Sequence, residues 1–204
     1  GPSGNGYFYS AYTFATPEHG GTHLDAPIHF SEEAPTIGDL DINELYAPVV
    51  VIDVIASANS DRNYRVLPAD IEAFEAQYGL IAAGTAVFFR TDWSRFWPEP
   101  NAYLGDDTPG NADNLSFPGI AAATAELLVQ RQVALVGIDT ASIDYGASTE
   151  FPVHVMLASN NIPALENLTN LNLLPETGAW MLAAPMKIGE GSGAPARVVA
   201  FVGR

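Results

Sequence analysis

Three of the chain's four histidines fall within eleven residues, in His19-Gly-Gly-Thr-His23-Leu-Asp25-Ala-Pro-Ile-His29, with an aspartate among them. Neutral imidazole and carboxylate are the donor types that suit zinc, manganese or iron. Their spacing restricts the backbone. On an α-helix of 3.6 residues per turn His19 and His23 share a face, but Asp25 is turned about 200° from His23. On a strand, positions 19, 23, 25 and 29 all face one way, yet a straight strand separates the first from the last by roughly 33 Å. Neither regular form brings the four side chains to one point. The segment must bend, and Gly20-Gly21 and Pro27 are the residues that allow it. A curved loop is expected, with side chains converging from alternate positions. A lone histidine would be read as a packing or hydrogen-bonding group; three with an aspartate in so short a span point to a metal.

The rest of the chain alternates strand-like and helix-like segments. Residues 48–55, 85–90 and 133–139 are short apolar runs and read as buried strands. Residues 68–78 have proline in the first turn, early acids and a following Gly79, which together signal a helix. A second helix is expected over 119–132, where Ile120, Ala123, Leu127 and Leu128 lie near helical spacing, and a shorter one over 152–159. Late strands are expected over 180–184 and 197–202. Such alternation indicates an α/β layered domain. Residues 91–117, rich in Pro, Gly, Asn and Asp, read as a long loop.

Composition narrows the function. With 204 residues, 48% apolar and 16% charged, the chain suits one globular domain. A net charge of -16 repels phosphate backbones, so no nucleic-acid partner is expected. The absence of cysteine excludes disulfides, thiolate ligands and a cysteine nucleophile. No apolar run reaches the roughly 18 residues needed to cross a bilayer, so no membrane partner is expected. The opening Gly1-Pro-Ser-Gly-Asn-Gly lacks the marks of a signal peptide, and the cytoplasm is the expected compartment.

The histidine segment resembles the signature of the cyclase-like metal-dependent hydrolases, His-x-Gly-Thr-His-x-Asp-x-Pro-x-His, and matches it at every fixed position. Bacterial kynurenine formamidase and isatin hydrolase belong to that family. Phe117-Pro-Gly, the run from Gly137 to Asp144, Phe151-Pro-Val-His154, Glu166-Asn-Leu and the run from Pro185 to Arg197 are similar to family stretches as well. The resemblance implies a swivelling β/β/α domain, a mixed sheet flanked by helices, as a single domain over residues 1–204. Members carry several tens of residues before the signature and this chain has 18, so an N-terminal segment is expected to be absent.

By position, the resemblance makes His19, His23 and Asp25 metal ligands and His29 the proton-transfer group. Formamidase-type members hold a second ion with a later histidine and a glutamate, which here are His154 and Glu166, with Asp25 bridging. The implied cofactor is one or two divalent ions per chain, zinc or manganese. Taken alone, His154 between Val153 and Val155 also reads as a buried structural histidine, and Glu166 as a solvated carboxylate. The implied reaction is hydrolysis of a non-peptide C–N bond in a small molecule, an aryl-formamide or cyclic amide such as N-formylkynurenine or isatin. The ligand set alone does not separate this from lactone or ester hydrolysis or a polyketide-type cyclase. An inactive metal-binding homologue would have no need of His29. A homodimer or homotetramer is implied by the family.

Three further residues are candidates for substrate contact. Trp93 and Phe96, with Trp97 beside Arg90 and Arg95, suit an aromatic wall for a flat substrate, or else anchor the loop by packing. Ser192 sits in a glycine-rich run that lacks the Gly-Lys-Ser/Thr ending of a phosphate loop, and its hydroxyl suits a substrate oxygen. Asp139 and Asp144, at the end of a buried strand, either orient histidines or cap turns.

Overall fold

In the computed structural model, which describes residue 4 and residues 6–203, the apolar runs form the middle of a mixed sheet. The strands are β1 (His23–Asp25), β2 (Tyr46–Asp53), β3 (Arg65–Val66), β4 (Ala86–Arg90), β5 (Gly119–Ile120), β6 (Leu135–Ile138), β7 (Ala164–Glu166), β8 (Ala179–Pro185) and β9 (Gly193–Val202). The helices are α1 (Ile55–Ser60), α2 (Pro68–Tyr78), α3 (Pro100–Leu104), α4 (Ala122–Gln130) and α5 (Pro152–Ala158). Strands β2, β4, β6 and β7 pair in parallel, and the β8–β9 hairpin joins antiparallel to β2. β1 pairs antiparallel with both β7 and β9. That double pairing closes the sheet into a barrel ordered β1-β7-β6-β4-β2-β8-β9, while β3 and β5 form a separate parallel pair. The expectation of a mixed sheet with helices holds. The closure goes beyond the expected layered domain: a three-residue strand carries too little pattern to announce itself.

A parallel strand covered on both faces has to be apolar at every position, and Ala86 to Phe89 are all buried. Alternation along the strand divides the core in two. Val87 and Phe89, with Val136 and Ile138, pack against α2, α4 and α5 through Ile71, Phe74, Leu128, Val153 and Leu157. Ala86 and Phe88 point the other way and fill the barrel with Leu24, Leu135, Leu165 and Met181. Leu24 lies inside the barrel, so its neighbours His23 and Asp25 face the helix side, the side on which α5 packs.

Local signals set some boundaries and tertiary contacts set others. α2 spans the expected residues, with its Asp70 carboxylate accepting from the Leu67 N–H at 2.7 Å. The helix expected over 119–132 starts only at Ala122. Ile120 donates to the Ile143 carbonyl at 2.8 Å, and the Tyr145 backbone lies where a Cβ on residue 119 would sit, so Gly119 belongs to a strand. The 91–117 stretch contains a 3₁₀ turn over Trp93–Phe96 and α3, and encloses its own small core of Trp93, Tyr103 and Phe117. Among the described residues no helix is long and apolar enough to cross a membrane.

Gly137 on β6 tests the packing of the barrel. A Cβ there would lie 2.6 Å from the Phe88 ring and 2.7 Å from Leu168. Overpacking a filled core costs about 1–3 kcal/mol. Gly137→Ala is therefore expected to lower the melting temperature by on the order of 5 °C, read by thermal denaturation. An unchanged midpoint would show that the Phe88 ring yields freely.

Candidate active site

β1 brings His23 and Asp25 to one face because they are two residues apart on a strand. Its register with β7 sets His23 directly opposite Glu166, so a single antiparallel pair closes a long gap in sequence. Gly21, at a φ of 63°, turns the chain ahead of β1, and His19 comes back beside Asp25, with Nδ1 2.6 Å from Oδ1. After β1 the 3₁₀ turn Pro27–His29 brings His29 round, and its ring stacks on that of His19 at 4.0 Å between centroids. The expected bend is present at both ends. α5 then delivers His154, whose Nε2 lies 3.5 Å from Asp25 Oδ2 and 3.1 Å from Glu166 Oε1. The six sequence-predicted groups His19, His23, Asp25, His29, His154 and Glu166 are thus brought together.

The partner on the outer nitrogen of each buried ring decides what the inner nitrogen presents. His23 Nδ1 donates to the Gly21 carbonyl at 2.8 Å. His154 Nδ1 donates to the Asp144 carboxylate at 2.7 Å. His19 Nε2 lies 3.0 Å from the Ser192 hydroxyl, which itself donates to Glu18 at 2.8 Å and so accepts from the imidazole. The remaining nitrogens therefore turn lone pairs toward Asp25 and Glu166, whose oxygens are acceptors too. Acceptors facing acceptors repel unless a cation or protons lie between them. Two of these buried atoms, His23 Nε2 and Asp25 Oδ2, have no hydrogen-bond partner. Two triads have donor atoms close enough to share an ion, His19–Asp25–His29 and His23–Asp25–Glu166, with Asp25 in both. The donor set fits a divalent metal.

Protons take the place of the cation when none is bound. Burial works against a charged His23, but Asp25 and Glu166 outweigh it and raise its pKa to about 10. His154 also rises, burial being outweighed by bonds to Asp144, Asp25 and Glu166. Burial pushes Asp25 up, and the surrounding imidazoles hold it well below the usual carboxylate range. His29 behaves differently. Though exposed, it loses enough hydration against its neighbours that desolvation lowers its pKa, with repulsion from His19 and His154 and against the pull of Asp25 and Glu166.

With this geometry in place, likeness to known proteins becomes informative. The Cyclase family model matches residues 4–145. An isatin hydrolase from Roseibium aggregatum is 34% identical, over 97% of this chain and 77% of the relative. The chain belongs to the cyclase family. Within that family, a kynurenine formamidase from Polaromonas naphthalenivorans is 31% identical over 89% of this chain and 70% of its own. The solved structure of an isatin hydrolase bound to the product analogue thioisatinate matches with a TM-score of 0.89 at 33% identity, covering 99% of this chain and 79% of that one. These cyclase-family relatives are hydrolases, and the chain is an enzyme of that class.

The structure also places the remaining sequence candidates. Trp93 is 3% exposed, with its indole N–H on the Tyr103 carbonyl, and Phe96 packs against it and beneath Arg95. Both pack into the loop's own core, Trp93 fully and Phe96 in part. The exposed member is Trp97, which borders a cavity of about 370 Å³ with Tyr103, Asn167 and Gly21-Thr22, the residues just ahead of His23. Arg90 and Arg95 are engaged by Asp53 and Asp92. Ser192 holds His19 by its hydroxyl. Asp139 is bonded to Thr91 and reaches no histidine, whereas Asp144 both orients His154 and accepts from the first N–H groups of α5. Gly193, in the glycine-rich run over 189–195, brings backbone close to the site: a Cβ on it would come within 2.8 Å of His19 Nδ1, so glycine lets that ring lie against β9.

A raised histidine pKa has a definite sign in folding. The stability it adds is complete below the unfolded value of 6.5 and is lost as pH rises through about 10. The melting temperature of chelator-treated protein should therefore fall between those limits. Saturating zinc or manganese, which replaces the protons, should flatten the profile. Equal slopes with and without the ion would place His23 outside the ion's reach.

Proposed function

We propose that this enzyme hydrolyses a non-peptide C–N bond in an aryl-formamide or cyclic amide of the N-formylkynurenine or isatin type. The observation that carries the reading is the buried set of acceptors, three imidazole nitrogens and two carboxylates, turned on one another with no donor between them. The named activities of the hydrolase relatives support the choice of bond. We assign one zinc or manganese ion to His19, His23 and Asp25, and a second position to His154 and Glu166, with Asp25 shared. A bound divalent ion polarises a carbonyl oxygen and lowers the pKa of water from 15.7 to about 7.

The chain's own groups do the remaining work. His29, neutral near physiological pH and open on one face, takes a proton from the attacking water and returns it to the leaving nitrogen. Asp144 fixes the ring of His154, and Ser192 with Glu18 fixes that of His19, so the inner nitrogens stay aimed. Glu166 is held by the Ile143 N–H at 2.8 Å. Helices on the outer side of the sheet support assignment to the swivelling β/β/α type, here with its sheet closed by β1. Large exposed aromatics at Phe8, Tyr12 and Phe14 support assembly as a homodimer or homotetramer.

Elemental analysis of protein purified without chelator, together with turnover of N-formylkynurenine, isatin and simple lactones, tests this reading. One or two equivalents of metal and activity on an amide are expected. Inactivity on both amides overturns it. His29→Ala should keep the metal and lose about 100-fold or more in turnover, the scale of general acid–base catalysis. Retained turnover would remove His29 from the reaction.

A further inference from the structure

Two phenylalanines with no ligand role stand at the open side of the cluster. The Phe30 ring lies 4.6 Å from His29 and 4.6 Å from His154. Phe151 lies 5.4 Å from Phe30 and 5.9 Å from His154, and it remains 39% exposed. The crevice between Phe30 and His154, which Asp25 and His29 also line, measures about 10 Å³. That is room for one water at most. The space beneath Phe30 is therefore closed to a substrate, and the exposed His29 lies beside the Phe30 ring.

The backbone of Phe151 adds an independent observation. It sits at φ 48° and ψ 47°, the left-handed region that a bulky aromatic residue avoids. Asparagine or glycine would take this conformation readily. The turn leads the chain into α5, where Asp144 accepts from the Val153 and His154 N–H groups, while the Phe151 ring is kept beside Phe30. Strain held by a partly exposed ring at the mouth of a reactive centre is what a functional demand on that ring produces.

We propose that Phe30 and Phe151 form an aromatic clamp that receives the planar ring of the substrate, with its carbonyl toward His29, and so selects aromatic amides over aliphatic ones. The clamp rests on the function proposed above and adds the residues that set its preference. It moves the aromatic contact from the 91–117 loop, where Trp93 and Phe96 are spent on packing, to the two ends of the histidine site.

The test compares metal-loaded wild type with Phe151→Asn, Phe151→Leu and Phe30→Leu on isatin and on pyrrolidine-2,3-dione, which lacks the fused benzene ring. Asparagine takes the left-handed backbone more readily than phenylalanine, so Phe151→Asn should melt no lower than wild type. All three variants should raise KM for isatin about tenfold, the reach of an aromatic stacking contact, with kcat little changed. Preference over the aliphatic dione should shrink by the same factor, and metal content should stay constant. An unchanged isatin KM, or an equal loss on both diones, overturns the clamp. Should wild type hydrolyse no amide, the proposed function fails by itself. Calorimetric titration with isatin then judges the clamp separately: about tenfold weaker binding to Phe151→Asn supports it, and equal binding overturns it.

Discussion

Both edges of β1 are hydrogen-bonded at once, to β7 and to β9, and the rest of the site follows from that arrangement. Pairing with β7 puts Glu166 across from His23. Pairing with β9 puts Gly193 across from Asp25, and there the missing side chain leaves space for His19. Leu24, between the two ligating positions, is buried in the barrel and anchors the register, since a slip of one residue would turn His23 and Asp25 into the core. Fold stability and site geometry thus depend on the same three residues.

The second governing feature is electrostatic. Burying two carboxylates is costly unless charge of opposite sign faces them. Three imidazoles do so, each tied by its outer nitrogen to a backbone carbonyl, a carboxylate or a hydroxyl. That tying stops the rings from turning away and leaves a cluster that accepts either protons or a cation. Metal binding and protonation are therefore in competition at one place. His29 stands at the edge of this cluster, where its exposure keeps it available for proton exchange while partial desolvation favours its neutral form.

Legibility from sequence varied with the range of the forces involved. The 68–78 helix could be read because its proline, early acids and terminal glycine act locally. The bend in the histidine segment could be read because helix and strand periods both fail to gather its donors. The helix expected from residue 119 was overruled by the backbone of Tyr145 lying against Gly119. Trp93 was equally at home in a wall or a core by composition, and only the enclosure formed with Tyr103 and Phe117 decided for the core. Asp144 was weighed as a cap or an orienting group; the start of α5 lies so near His154 that one carboxylate does both.

The sequence by itself determined the chemistry: which donors are present, that no thiol is among them, and that their segment has to curve. Those facts follow from side-chain type and bond geometry and need no partner. Tertiary structure decided which distant groups join them and which way the rings face. His154 and Glu166 enter through the packing of α5 and the pairing of β7, contacts whose energy comes from burial and register across long separations. Phe151 belongs to this second group as well. Its residue type is plain in the sequence, but the left-handed backbone that keeps it beside Phe30 exists only once α5 is docked.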